Sequence, residues 1–143
     1  MGDQDRPITG ACQCGAIVYQ LTEPPLDVGY CHCRMCQRSQ GSIFSVSGEW
    51  PRAALVLRRG EPKWYRSSNV MERGFCDGCG CSLFGRYDGE ATLWVYFGSL
   101  DRPEDLAPKW HLCAESMMPW CDLRDVLPRV RADRPEVAPT PPR

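Results

Sequence analysis

No stretch of eighteen apolar residues occurs in this 143-residue sequence, so it offers no membrane-spanning helix. Charge of one sign is equally lacking: 17 Lys and Arg stand against 18 Asp and Glu, a net charge of −1. That balance gives no electrostatic case for nucleic acid or a membrane surface as partner. The opening Met1–Pro7 has no apolar signal region, and on that ground a cytoplasmic protein is expected. Helical patterning is scarce. The length predicts one domain with a core of its own, so metal is not needed merely to make up for small size.

What patterning there is reads as strands. Gly15–Leu21 is a strand candidate closed by Pro24-Pro25, and Ser42–Ser47 alternates polar and apolar residues. Ala54–Arg58 and Lys63–Arg66 flank Gly60, which suggests a hairpin. Met71–Phe75, Ser82–Tyr87 and Thr92–Phe97 are further candidates, the last two joined by the turn signal Asp88-Gly89. A short helix is expected over Arg34–Gln40, and one turn at Pro103–Leu106, where proline sits at a helix start. The tail, residues 131–143, carries four prolines and alternating charges and is expected to be disordered.

Ten cysteines are the sequence's richest feature, and eight fall into three clusters. These are Cys12-x-Cys14, Cys31-x-Cys33-x-x-Cys36 and Cys76-x-x-Cys79-x-Cys81. CxC and CxxC are the spacings of metal ligands, and thiols of a cytosolic chain are ordinarily reduced. Soft thiolates in a tetrahedral set select zinc. Cys12 and Cys14 can close with Cys76 and Cys79 around one ion, a structural site with four sulfurs. Cys31, Cys33 and Cys36 supply three sulfurs in six residues, which leaves one tetrahedral position open, as in catalytic zinc sites. That second ion is expected to be the more labile.

A fourth protein ligand would close the second site instead. The candidates are Cys81, His32 and His111, with Cys81 divided between ligation and packing as a small apolar residue. In an extended segment His32 faces away from its flanking sulfurs. His111 reads as structural, and Cys113 and Cys121 read as buried thiols. Arg34, Arg38 and Arg73 flank the clusters and could lower thiol pKa values or receive a carboxylate, although a solvated charge is the plainer reading of each.

The runs Gly10-Ala11-Cys12-Gln13-Cys14-Gly15, Cys31-His32-Cys33-Arg34-Met35-Cys36 and Phe75-Cys76-Asp77-Gly78-Cys79-Gly80 resemble the glutathione-dependent formaldehyde-activating enzyme family, which includes centromere protein V-like proteins. Gly98–Asp101 and the segment from His111 to Trp120 are similar to its C-terminal signatures. The resemblance implies a mainly β, Mss4-like fold of twisted antiparallel sheets held by zinc, as one domain over residues 8–128. It implies a structural zinc on Cys12, Cys14, Cys76 and Cys79 and a catalytic zinc on Cys31, Cys33 and Cys36. It further implies a carbon–sulfur lyase that joins a small thiol such as glutathione to formaldehyde or a related small carbonyl as an S-hydroxymethyl adduct. The rival class is a non-catalytic, zinc-held β module that binds a protein partner. One position departs from the family: Cys81 stands where a small hydroxyl residue is typical.

Overall fold

In the computed structural model, which describes residues 6–132 and 136–138, the described residues form eleven strands and one α-helix. A small antiparallel sheet holds β1 (Ile8–Ala11), β2 (Val18–Leu21) and β5 (Leu55–Arg59), with β2 in the middle. A large sheet holds β3 (Asp27–Cys31), β4 (Ser45–Pro51), β6 (Lys63–Arg66), β7 (Met71–Phe75), β8 (Ser82–Tyr87), β9 (Thr92–Tyr96), β10 (His111–Leu112) and β11 (Arg129–Val130). Its spatial order is β11-β10-β3-β4-β9-β8-β7-β6. The helix α1 (Arg34–Gln40) follows β3. No described helix is long and apolar enough to cross a membrane.

The mainly β expectation holds, with two differences of detail. The strands either side of Gly60 both form, but not as a hairpin: β5 pairs with β2 and β6 with β7, so the chain changes sheets at Gly60. Gly60 has φ +64, and a Cβ there would run into the Ala16 carbonyl, so the crossing depends on glycine. The large sheet also ends in parallel pairs, β10 with β3 and β10 with β11. Two-residue strands such as β10 carry no alternation to read, and a parallel partner is never adjacent in sequence. The Asp88-Gly89 hairpin, the Arg34–Gln40 helix and a 3-10 turn at Pro103–Asp105 form where expected.

The core forms where the sheets meet. Tyr19 and Leu21 of β2 join Trp50, Leu83, Phe84 and Val95 of the large sheet, each 0–1% exposed. Burial of such side chains contributes roughly 1.5–3 kcal/mol apiece. The Tyr19 and Phe84 rings meet edge to face at 5.1 Å, and the Tyr19 hydroxyl sits 2.6 Å from Ser99 Oγ. The packing fixes two loop regions. The β1–β2 turn carries Cys12 and Cys14 toward the β7–β8 turn, where the ladder register shifts at Gly74/Phe75 just before Cys76. At the other, β3 ends on Cys31, and Cys33 caps α1.

Most of the proline-rich tail expected to be disordered lies outside the described residues. Of the part that is described, Ala138 exchanges N–H···O bonds with Asn69, each 3.0 Å.

Candidate functional site

The β1–β2 and β7–β8 turns bring Cys12, Cys14, Cys76 and Cys79 together, with all four sulfurs within 4.8 Å of one another. Sulfur separations of 3.7 Å (Cys12–Cys14) and 3.8 Å (Cys14–Cys76) are far beyond a disulfide bond. They fit the edge of a tetrahedron with metal–sulfur bonds of about 2.3 Å, for which sulfurs stand roughly 3.8 Å apart. Cys12 and Cys76 are buried and Cys14 and Cys79 exposed, so the set lies at the rim of the core. Burial opposes a Cys12 thiolate, but the Ile17 N–H at 3.3 Å and the neighbouring thiols hold its pKa down to about 6. The Ala16 backbone favours a Cys14 thiolate, yet Cys12, Cys76 and Cys79 push its pKa up to about 11. Adjacent sulfurs cannot all be negative until a cation joins them.

A second set comprises Cys31, Cys33 and Cys36, also within 4.8 Å of one another. Cys31 closes β3, Cys33 caps α1 by accepting the Cys36 N–H at 3.1 Å, and Cys36 lies in the first helical turn. Gly41, at φ 62, ends the helix in the left-handed region. Cys36 and Cys31 sulfurs are 3.4 Å apart. Bonds from Cys113, Cys31 and Cys36 push the Cys33 thiol far down. Cys31 is pushed up by Cys113, Cys33, Cys36 and burial. The Cys31 contact favours a Cys36 thiolate, but Cys33 and burial outweigh it, and Cys36 is pushed up. Each set thus has the donor chemistry to hold a metal ion.

The second set opens on a cavity of about 170 Å³ walled by Trp94, Tyr96, Trp110, Met71 and Tyr87. Arg73 is the charged side chain among its described lining residues. The reading of Arg73 as a solvated charge is wrong: it is 5% exposed, because β7 turns it inward. Its Nη1 donates to the Tyr96 hydroxyl, its Nη2 lies 3.7 Å from Cys36 Sγ, and its Nε has no partner among the described residues. Trp110 reaches the cavity because β3 carries glycine opposite it: a Cβ on Gly29 would run into the indole ring. Another hollow, of about 330 Å³, against Leu55, Leu57, Trp64 and Arg86, has no cysteine in its lining.

None of the three candidates for closing the second site reaches it. Cys81 belongs to neither set; it packs against the core, its sulfur is 3.7 Å from the Ser82 carbonyl, and burial pushes its pKa up. His32 and His111 turn inward instead, with His32 Nε2 2.8 Å from His111 Nδ1, and His111 Nε2 3.0 Å from Asp125. Burial pushes the His32 pKa down. The residue missed was Cys113, read as a buried thiol. It is the largest influence on the shifted thiols of Cys31 and Cys33, and it lines the same cavity. No local spacing announces it, since β10 places it there through parallel pairing with β3.

The sequence matches the family described as glutathione-dependent formaldehyde-activating enzyme over residues 7–116. Three fungal proteins, each named "Putative glutathione-dependent formaldehyde-activating enzyme", are similar in part. The Fusarium vanettenii protein is 36% identical over 42% of this chain and 33% of its own. The Sordaria macrospora protein is 33% identical over 57% and 38%, and the Emericella nidulans protein 32% identical over 55% and 42%. The chain therefore spans less than half the length of these relatives. Among solved structures, a Rhodobacter sphaeroides protein matches with a TM-score of 0.53 at 18% identity, covering 85% of this chain and 98% of its own, which is a likeness of fold.

Proposed function

The chain belongs to the glutathione-dependent formaldehyde-activating enzyme family, and from that premise we propose a zinc-dependent carbon–sulfur lyase that acts on a small thiol and a small carbonyl. The thiol is glutathione or a close relative and the carbonyl is formaldehyde or one of similar size. In the forming direction the S–H proton is lost, a sulfur–carbon bond forms, and the carbonyl oxygen gains a proton as the hydroxyl of an S-hydroxymethyl adduct. Cleavage is the reverse, and no oxidant or reductant is needed.

The observation that carries this reading is the opening of three mutually close sulfurs, Cys31, Cys33 and Cys36, onto a cavity rather than into packed core. In this reading Cys12, Cys14, Cys76 and Cys79 hold a structural zinc, and Cys31, Cys33 and Cys36 hold the second. A zinc there supplies Lewis acidity and favours the deprotonated form of a thiol bound to it. The protein's own groups do the rest. Cys33, fixed by the Cys36 N–H, holds its sulfur toward the other two. Arg73 offsets negative charge gathered on sulfur, at 3.7 Å from Cys36. The aromatic walls give the thiol and the small carbonyl a largely apolar place to meet. The zinc-binding domain spans residues 8–128, with a tail over 131–143.

Magnetisation-exchange NMR on glutathione–formaldehyde mixtures tests the reading. Zinc-loaded protein should speed exchange between free and S-hydroxymethylated glutathione. An unchanged rate rejects the activity, and a failure to bind glutathione as well leaves a partner-binding module as the better account.

A further inference from the structure

We propose that Cys113 is a fourth sulfur donor of the second centre, one that gives way to an incoming small thiol. The proposal rests on the reading of Cys31, Cys33 and Cys36 as a thiol-binding metal site, and it adds the ligand that guards that site.

Leu112 of β10 lies opposite Cys31 of β3, and the His32 N–H donates to the Leu112 carbonyl at 2.9 Å. The next residue, Cys113, therefore leaves the sheet at the level of His32, between Cys31 and Cys33 in the chain. There Cys113 lines the same cavity as Cys31, Cys33 and Cys36. Four thiols from two chain segments thus line one cavity. Four sulfurs complete a tetrahedral zinc shell, where three leave it short.

Cys113 has φ 56 and ψ 46, and it is the non-glycine residue with positive φ among the described residues. L-residues take that conformation at a cost, and such residues gather at functional sites. The left-handed turn ends β10 and redirects the chain into a 3-10 turn over Ala114–Ser116. A glycine would make the same turn without that cost, and it would bring no sulfur to the cavity.

Two features make this donor the one that yields. Cys113 lines the cavity with Cys31, Cys33 and Cys36 but stands outside their mutual 4.8 Å set. It also sits on a separate segment, beyond a two-residue strand, so it can withdraw without disturbing the β3–α1 loop. The exchange balances. The Cys113 sulfur–metal bond breaks as a bond to the incoming sulfur forms, and the incoming thiol's proton leaves on Cys113. Four thiolates surround the ion before and after, so the charge of the centre does not change.

Pulsed iodoacetamide labelling of the full chain, read peptide by peptide by mass spectrometry, is the test. Loading with two equivalents of zinc should cut Cys113 labelling at least tenfold relative to metal-free protein. Millimolar glutathione should then restore Cys113 labelling while Cys31, Cys33 and Cys36 stay protected. Labelling of Cys113 that zinc does not change overturns its role as a donor. Protection that glutathione does not lift overturns the exchange. Calorimetric titration of glutathione into zinc-loaded Cys113→Gly, a substitution suited to the local φ, separates the two readings. Binding there, with either overturning result in the parent protein, leaves the thiol site standing without Cys113. No glutathione binding to the variant or the parent rejects the thiol site and this proposal with it.

Discussion

The Arg73 guanidinium lies 3.7 Å from the Cys36 sulfur, inside the fold and without an ion pair to any described carboxylate. Its other neighbours are the Tyr96 hydroxyl and the Tyr96 ring, whose centroid is 5.8 Å away. Burial opposes the charge, and Tyr96 and Cys36 more than offset it, so the group stays cationic. A buried cation needs a counter-charge, and the thiolates of the second set are the anions within reach.

Replacement of Arg73 by Met should therefore weaken zinc at the second centre about 10–100-fold, the usual range for groups that support ligands from outside the metal's own shell. The first centre should be unaffected. Competition with a chromophoric chelator resolves the two affinities. Equal weakening of both would mean that the substitution disturbs the fold and not the charge balance.

The two sulfur sets should differ in what they support. Cys12→Ser or Cys76→Ser opens the set that ties the β1–β2 turn to the β7–β8 turn, and structural zinc affinity is itself folding free energy. Those variants should lose cooperative thermal unfolding. Cys33→Ser should stay folded with one zinc equivalent in place of two, by metal analysis after gel filtration. Equal loss of folding in both kinds of variant would make the second set structural.

Cys81→Ser should keep full zinc content and lose no more than about 1–2 kcal/mol of stability, the ordinary scale of a point change. The sulfur lies beside the core and in neither set, so its removal costs packing only. Loss of a zinc equivalent would make it a ligand.

Sequence and structure agree best where chemistry and spacing coincide. The seven clustered cysteines of the two sets could be named from CxC and CxxC spacing, because each short loop holds its sulfurs together whatever the fold around it. Strand β9 was legible from its β-branched and aromatic run, and β8 from the Asp88-Gly89 turn that joins the two. Strand β3 was not: Asp27-Val28-Gly29-Tyr30-Cys31 has a glycine at its centre, which serves Trp110 rather than strand propensity. Arg73 looked like a surface charge because nothing in Met71–Phe75 shows that Tyr96 and Cys36 wait on the inner side. Cys113 was hidden for the same reason, since 77 residues separate it from Cys36 and only tertiary packing joins them.

His111 should prove structural. It is 0% exposed, and its ring links His32 to Asp125. His111→Leu keeps much of the volume but leaves His32 Nε2 without its partner. Loss of such a buried hydrogen bond costs about 1–3 kcal/mol. Urea denaturation in zinc-buffered solution should show the loss with zinc content intact. Release of the second zinc by this variant would instead tie the histidine pair to the metal loop.

Acid should empty the second centre before the first. Metal binding requires thiolates, so every thiol that is protonated in the free protein must release its proton when the ion enters. At the second centre Cys31, Cys36 and the proposed fourth donor Cys113 are all pushed up, and only Cys33 is pushed down. At the first, Cys12 is held at about 6 and Cys79 is lowered, so fewer protons stand in the way, although Cys14 is pushed up to about 11. The metal-free protein binds more protons, so zinc affinity rises with pH and falls as pH drops, more steeply at the second centre. Calorimetry in buffers of differing ionisation enthalpy counts the protons, and about two or more should leave per zinc at the second centre near pH 7. Chelator competition from pH 8 down to pH 6 should show the second zinc lost first. Equal pH slopes at the two centres would contradict the contrast between Cys12 and Cys79 on one side and Cys31 and Cys36 on the other.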